Sequence, residues 1–375
     1  MSKEKFILKD ILFNKEKIIY LSKIIKNVYW EFKSENFIQE NLDKFPQLEL
    51  KQRILHIKDM LYKYLPKDYI SAVNIMLKSL PDELDPTKKD DDFWDFIFAA
   101  YGEFISEYWC NTENWDFSLQ SLETITKRFS MEFALRNFLK KFPQETLKFA
   151  LKWSKNDNYH VRRLSSEAIR PNLPWWWKIN NWVQNTLKIL DNLYTDQTQY
   201  VLRSVANNLN DITKLDANAV ISKLLEWKKS EKQNQKNMLF LVTHSLRSEI
   251  KVWNPKALEL LWYYQPAIKI NNFHIPAPQV NIWESLEFWF ELTSNISQKL
   301  LMNYKIYFVM SNWKLREKIF HISKKNLSKW EKITISKKHP LKNMTTKKLY
   351  SWKHFVEIFI NGENFWKKEF EFTST

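Results

Sequence analysis

The densest set of side chains able to do chemistry lies in Asn158-Tyr-His-Val-Arg-Arg-Leu-Ser-Ser-Glu-Ala-Ile-Arg170. On a helix, Arg163, Glu167 and Arg170 stand at i, i+4 and i+7 and share one face. The pattern recurs. His160-Val-Arg-Arg-Leu-Ser-Ser-Glu returns forty residues later as Tyr200-Val-Leu-Arg-Ser-Val-Ala-Asn, which matches Arg203 to Arg163 and Asn207 to Glu167. An earlier copy, Ser130-Met-Glu-Phe-Ala-Leu-Arg, supplies Glu132 and Arg136, and a weaker one, Leu241-Val-Thr-His-Ser-Leu-Arg, follows. Stacked copies would align Glu132, Glu167 and Asn207 in one row, edged by Arg136, Arg163, Arg170 and Arg203. Asp211 is either a helix-end hydrogen-bonding residue or a member of that row. Pro171 and Pro174 end the helix and would hold Trp175 close to it.

Carboxylates inside a basic groove oppose the binding of a polyanion, so their presence makes sense if the bound target carries or develops positive charge. A base alkylated on a ring nitrogen is such a target. It is cationic, it is already a good leaving group, and as its glycosidic bond breaks positive charge moves onto the sugar. A carboxylate there stabilises the oxocarbenium-like state and can orient or deprotonate the attacking water. A tryptophan face adds attraction for the cation. This chemistry calls for neither metal nor cofactor. The competing readings are inter-repeat salt bridging, in which Glu–Arg pairs latch neighbouring helices, and a repeat scaffold that binds DNA or protein without chemistry. His160 and His244 lack a second ligand at metal spacing and read as structural.

The elements that must position this row are helical. Phe133, Leu135, Phe138 and Leu139, then Leu147, Ala150, Leu151 and Trp153, recur at three- and four-residue spacings, with Pro143 in the break between them. Two helices per unit of about forty residues is the signature of HEAT-like repeats stacked into a solenoid. After Gln265-Pro266 the pattern changes to short alternating runs at 269–274, 286–292, 301–308, 318–322, 332–336, 355–360 and 365–372, the last two joined by Asn361-Gly362, a hairpin signal. The expectation is an all-helical domain over 1–265 and an antiparallel β-sandwich over 266–375.

Composition supports this frame. The chain has 375 residues, a net charge of +15 and 44% hydrophobic residues, enough for a sizeable core. The first 120 residues are net acidic and the rest strongly basic, with seven of nine arginines between 121 and 265. Arginine's forked donors suit phosphate, so nucleic acid is the first candidate partner. The lysine-rich sandwich either adds contacts to it or merely caps the solenoid, its lysines serving solubility. No apolar run approaches a membrane span and the N-terminus lacks a signal peptide's apolar stretch, so a monomeric cytoplasmic protein with no membrane partner is expected. The single cysteine, Cys110, excludes an intrachain disulfide and cysteine-cluster metal sites.

One count is abnormal. The chain has 2 glycines and 18 tryptophans, where ordinary usage predicts roughly 26 glycines. Trp313, in Ser-Asn-Trp-Lys, sits where a hairpin turn wants glycine. Trp253 sits at a helix end before a proline, and Trp352 opens a strand in a turn-like setting. These positions suggest that UGA, glycine in some bacterial lineages, has been read as tryptophan; the competing reading is aromatic enrichment for nucleic-acid stacking, which turn sites do not favour.

The stretches Arg128-Phe-Ser-Met-Glu-Phe-Ala-Leu-Arg-Asn-Phe-Leu139, His160-Val-Arg-Arg-Leu-Ser-Ser-Glu-Ala-Ile-Arg-Pro-Asn-Leu-Pro-Trp175 and Ser204-Val-Ala-Asn-Asn-Leu-Asn-Asp211 resemble the AlkC-type bacterial DNA alkylation-repair glycosylases. The likeness covers roughly residues 100–375. It extends through Thr345-Thr346 to His354 and Asn361-Gly362, similar to the Ig-like domain some members carry. The resemblance implies a HEAT-like fold and hydrolytic excision of cationic lesions such as 3-methyladenine and 3-methylcytosine from double-stranded DNA, without full base flipping. It implies catalytic roles for Glu132, Glu167, Trp175 and Asp211, and DNA contacts from Arg163 and Arg170. Arg136 and Arg203 join these as phosphate-holding candidates. Asn137, Ala168 and Asn172 depart from the family's usual proline, glycine and arginine, and the last removes a phosphate contact.

Overall fold

The structure, a computed structural model, describes residues 8–85, 87–88, 95–108, 113–174, 178, 183–341 and 350–373. The chain divides into two compact units, Met1–Ser245 and Leu246–Thr375.

The first unit is helical: α1 Leu8–Leu12, α2 Lys15–Val28, α3 Ser34–Lys44, α4 Leu50–Tyr64, α5 Tyr69–Lys78, α6 Ala99–Tyr108 and α7 Trp115–Thr126. It continues through α8 Glu132–Lys141, α9 Pro143–Trp153, α10 Tyr159–Glu167, α11 Val183–Asp191, α12 Gln199–Ser230 and α13 Gln235–Ser245. Local chemistry sets the ends of the helices that matter here. In α8, Glu132 lies in the first turn and Lys140 and Lys141 in the last, each charge matched to the helix dipole. Pro143 opens α9, where its missing N–H costs nothing. Asn158 caps α10 by accepting from the His160 N–H at 2.9 Å. α12 is two helices in one: Asp216 has φ −150°, and its carboxylate accepts from the Ala219 N–H at 2.9 Å, starting the second segment.

Packing gives two layers. Helix α4 lies on α6 and α6 on α8, and α10 lies on α12; α5 meets α7 and α9 meets α11 in the other layer. This is the expected HEAT-like stacking. The partner helices carry buried tryptophans bonded to the preceding unit, Trp153 Nε1 donating to Glu123 Oε2 at 2.6 Å and Trp227 Nε1 to Asp191 Oδ1 at 2.7 Å. Among the described residues no helix is long and apolar enough to cross a membrane.

The second unit begins with two short helices, α14 Arg247–Lys251 and α15 Pro255–Leu260, and continues as strands β1 Ile268–His274, β2 Gln279–Asn281, β3 Ser285–Ser294, β4 Gln298–Val309, β5 Leu315–Leu327, β6 Lys332–Pro340, β7 Trp352–Ile360 and β8 Glu363–Thr373. They form a sheet ordered β1-β3-β6 and another ordered β2-β8-β7-β4-β5. All pairs are antiparallel except β2 with β8, three residues in parallel register that the sequence pattern did not reveal. Leu286, Phe288, Phe290 and Leu292 of β3 alternate into the core shared with Met302, Ile306, Val356 and Ile358. The Asn361-Gly362 turn joins β7 to β8 with φ of 48° and 91°, both left-handed, as a tight hairpin requires.

One expectation shifts. The unit boundary falls at 245/246 rather than 265/266. The reason is packing on the hairpin turn: Asn361 Nδ2 donates to the Tyr264 carbonyl at 2.8 Å, and Gly362 lies so close to Leu258 that a Cβ there would sit 3.3 Å from its Cδ1. Trp352 opens β7, as expected, and Trp253 and Trp313 are left-handed at 61° and 63°.

Candidate functional site

The site is built from the start of α8, the end of α10 and the first half of α12. Arg163, on α10, lies between two carboxylates. Its Nη1 donates to Glu132 Oε2 at 2.9 Å and to Ser130 Oγ at 2.5 Å, and its Nη2 is 3.6 Å from Glu167 Oε1. Arg170 repeats the arrangement one step along: Nη1 donates to Glu167 Oε1 at 2.6 Å and Nε to Asp211 Oδ2 at 3.0 Å. The second oxygen of Glu167 accepts from Ser204 Oγ at 2.6 Å. The result is an alternating line, Glu132–Arg163–Glu167–Arg170–Asp211, with Lys214 Nζ 3.7 Å from the other oxygen of Asp211. Asp211 therefore belongs to the line rather than ending a helix.

All five side chains are largely withdrawn from solvent. The carboxylates of Glu132, Glu167 and Asp211 keep 13%, 7% and 5% of their exposure. Burial alone would raise the Glu167 pKa. Arg163 and Arg170, helped by the Ser204 hydroxyl, outweigh burial and hold it below the usual carboxylate range. Burial likewise opposes the charge of Arg163, and Glu132 foremost restores it, leaving its pKa raised. The guanidinium also lies 5.0 Å from the centre of the Tyr200 ring.

The spacing of 35 between Glu132 and Glu167 is not the structural repeat, since Glu132 opens α8 while Glu167 closes α10. The forty-residue match of Glu167 to Asn207 does hold in helix position. Yet Asn207 leaves the row, its Oδ1 standing 3.0 Å from His244 Nε2, and Asp211 one turn later takes the place expected of it. Arg136 is a second correction. Expected to hold a phosphate, it is fully buried, and its Nη1 donates to the carbonyls of Ala168 (3.1 Å) and Arg170 (2.6 Å) just past the end of α10. A cation at a helix C-terminus satisfies orphan carbonyls. Here it fixes the direction in which Glu167 and Arg170 project, while burial and then the neighbouring Arg170 push its pKa down to about 10. Arg203 is exposed on α12. His160 is buried beside Tyr159 and Tyr200, ring centres 4.1 and 5.7 Å away, a structural position. Trp175 lies outside the described residues. Ser130 and Ser204 were missed in the sequence. Their one signal is position, two residues before Glu132 and one residue after Arg203, and serine is too common for that to stand out.

A cavity of about 300 Å³ opens between α4, α6 and the start of α8, lined by Leu50, Ile54, Gly102, Glu103, Ser130 and Phe133 among others. Gly102 lets the start of α8 pack closely on α6, because a Cβ there would sit 2.7 Å from the Met131 sulfur. Burial in this apolar setting raises the Glu103 carboxyl from 4.5 to about 7. The folded protein then keeps a proton that the unfolded chain has released, so this group's stabilisation is complete below about pH 4.5 and is lost as pH rises through 7. The loss is on the order of 2 kcal/mol after discounting for partial exposure. Urea midpoints at pH 5 and pH 8 should differ in the expected direction, and Glu103→Gln should shrink that difference.

Comparison with known proteins places this geometry. The family model described as "Uncharacterised protein YhaZ, C-terminal Ig-like domain" matches residues 269–374. The chain is 31% identical over 361 residues to Uncharacterized protein YhaZ of Bacillus subtilis (strain 168), covering 95% of this chain and 96% of that protein. Among solved structures, Pseudomonas fluorescens alkylpurine DNA glycosylase AlkC bound to DNA containing an abasic site analog matches with a TM-score of 0.75 and 29% identity, over 99% of this chain and 100% of that one.

Proposed function

This chain belongs to the AlkC-type family, together with YhaZ, and from that membership we propose that it is a DNA glycosylase acting on alkylated bases. The substrates are cationic lesions such as 3-methyladenine and 3-methylcytosine in double-stranded DNA, attacked without full extrusion of the nucleotide. The observation that carries this reading is the sharing of one guanidinium: Glu132 and Glu167, from different helices, both lie against Arg163 at 2.9 and 3.6 Å. Carboxylates turned to opposite sides of the solenoid could not serve one reacting centre.

The chemistry follows from charge. The C1′–N bond breaks with its electron pair going to the base, which leaves neutral, and the positive charge passes to the sugar. Glu167 and Asp211 stabilise that cation, and Glu132, the most exposed of the three, orients the water whose oxygen joins C1′. The water's proton goes to a carboxylate and then to solvent. Trp175 contacts the lesion nucleotide. No lysine acts as a Schiff base, so the product is an abasic site in an unbroken strand. The protein works as a cytoplasmic monomer. Arg163 and Arg170 hold the carboxylates first, and phosphate contact falls to exposed cations such as Arg203.

Incubating methylated duplex DNA with the protein should release free 3-methyladenine while leaving the strand intact until alkali is added. DNA binding with no released base at any pH would instead support the non-catalytic scaffold. Arg203→Ala should weaken binding to all duplex sequences alike and reduce the slope of log affinity against log salt by about one. An unchanged slope would remove Arg203 from the phosphate contacts.

A further inference from the structure

Among the described residues, five tryptophans occupy backbone conformations that L side chains rarely adopt. Trp253, Trp262, Trp283, Trp313 and Trp330 have φ of 61°, 64°, 74°, 63° and 65°. Among the described residues only Glu231 and Asn361 join them as non-glycines with positive φ. In this region Cβ crowds the following carbonyl, and a bulky residue there is an outlier.

The hydrogen bonds identify the slot each one fills. After α14, the Trp253 N–H donates to Ile250 O (3.2 Å) and the Asn254 N–H to Glu249 O (3.0 Å). These are the two bonds of a Schellman motif, with Trp253 at the position glycine favours. After α15 the motif repeats, the Trp262 N–H donating to Glu259 O (2.9 Å) and the Tyr263 N–H to Leu258 O (3.0 Å). Trp283 and Trp330 stand third in four-residue turns closed by Glu284 N–H to Asn281 O and Glu331 N–H to Ser328 O, each 3.1 Å. A type II turn reserves that place for glycine. Trp313 ends the loop between β4 and β5. Its N–H donates to Met310 O at 2.9 Å and the Met310 N–H to Lys314 O at 3.0 Å, which makes it the left-handed residue of a three-residue hairpin loop.

The side chains add little at these places, four of the five rings being 45–71% exposed. Trp153 and Trp227 are the opposite case. Both are buried in helices with the indole N–H bonded to a carboxylate. Two populations of tryptophan thus coexist, one seated by its side chain and one seated against its backbone.

We propose that glycine is the native residue at 253, 262, 283, 313 and 330, each encoded by UGA and written here as tryptophan, whereas Trp153 and Trp227 are native. Low glycine content signals that something is wrong; backbone conformation says where. It also removes Trp352, a strand residue, from the set. Nothing in this inference depends on the enzymatic reading.

Two measurements test it. The gene should show UGA at the five positions and UGG at 153 and 227; UGG codons at the five overturn the proposal. Independently, each Trp→Gly replacement at the five sites should raise Tm by roughly 2–4 °C, because release from the left-handed region outweighs the extra chain entropy glycine brings to the unfolded state. Trp153→Gly and Trp227→Gly should lower it. A fivefold W253G/W262G/W283G/W313G/W330G variant that melts no higher than the unsubstituted chain would also overturn the proposal.

Discussion

Glu167→Gln should lower the rate of 3-methyladenine release by roughly 10²- to 10⁴-fold, the range expected when a group that stabilises charge or moves a proton at the reacting centre is lost. DNA affinity should stay level or rise, since an amide repels phosphate less than a carboxylate does. The substitution suits the site: glutamine keeps the shape and can still accept from the Ser204 hydroxyl that now lies 2.6 Å from Glu167 Oε2. Because Arg163 and Arg170 depress the Glu167 pKa, the wild-type carboxylate stays charged throughout the neutral range. Its contribution to stability is present above the ordinary carboxylate pKa and is lost only as pH falls below it. Single-turnover release at pH 6 and pH 8 should therefore show no step from this group. Wild-type release by the variant would sink the catalytic assignment.

Arg170→Met should be the most destabilising single change in the site. It leaves Glu167 and Asp211 buried with a partner missing, at side-chain exposures of 7% and 5%. Breaking one side of such an arrangement costs about 3–5 kcal/mol. Adding Glu167→Gln and Asp211→Asn removes the stranded charges, and the triple variant should recover most of the loss in a denaturant titration. This pair of variants also separates the two readings of the row. If the carboxylates only latch neighbouring repeats, the triple variant changes melting and leaves base release untouched. If they face the reacting sugar, release is lost even where stability returns. Every carboxylate in the row is already paired, and what supports the catalytic reading is that Glu132 and Glu167 converge from different helices on one side of the solenoid. The distinction lies in what happens when a cation arrives.

Much of the architecture could be read from residue order. Period-3.6 apolar spacing is local, so the α8–α9 pair and its break at Pro143 are visible without tertiary knowledge. Alternation and Asn361-Gly362 similarly announce the β7–β8 hairpin. Strand β2 stayed hidden because three residues carry no periodicity, and its parallel pairing with β8 joins segments far apart in sequence. Residues 247–260 were assigned to the helical part because they are helical. Only the packing of Leu258 against Gly362 of the hairpin turn shows which core they serve.

For the site, sequence alone determined which residue types meet: acids and arginines at helical spacing in a repeated unit, enough to nominate Glu132, Glu167, Arg163, Arg170 and Asp211. Tertiary structure decided their partners. A guanidinium can serve a phosphate, a carboxylate or a helix end, and the letter in the sequence is the same for all three. Arg136 went to the carbonyls beyond α10, and Arg163 and Arg170 went between carboxylates, because at those depths an unpaired charge or carbonyl has no water to turn to.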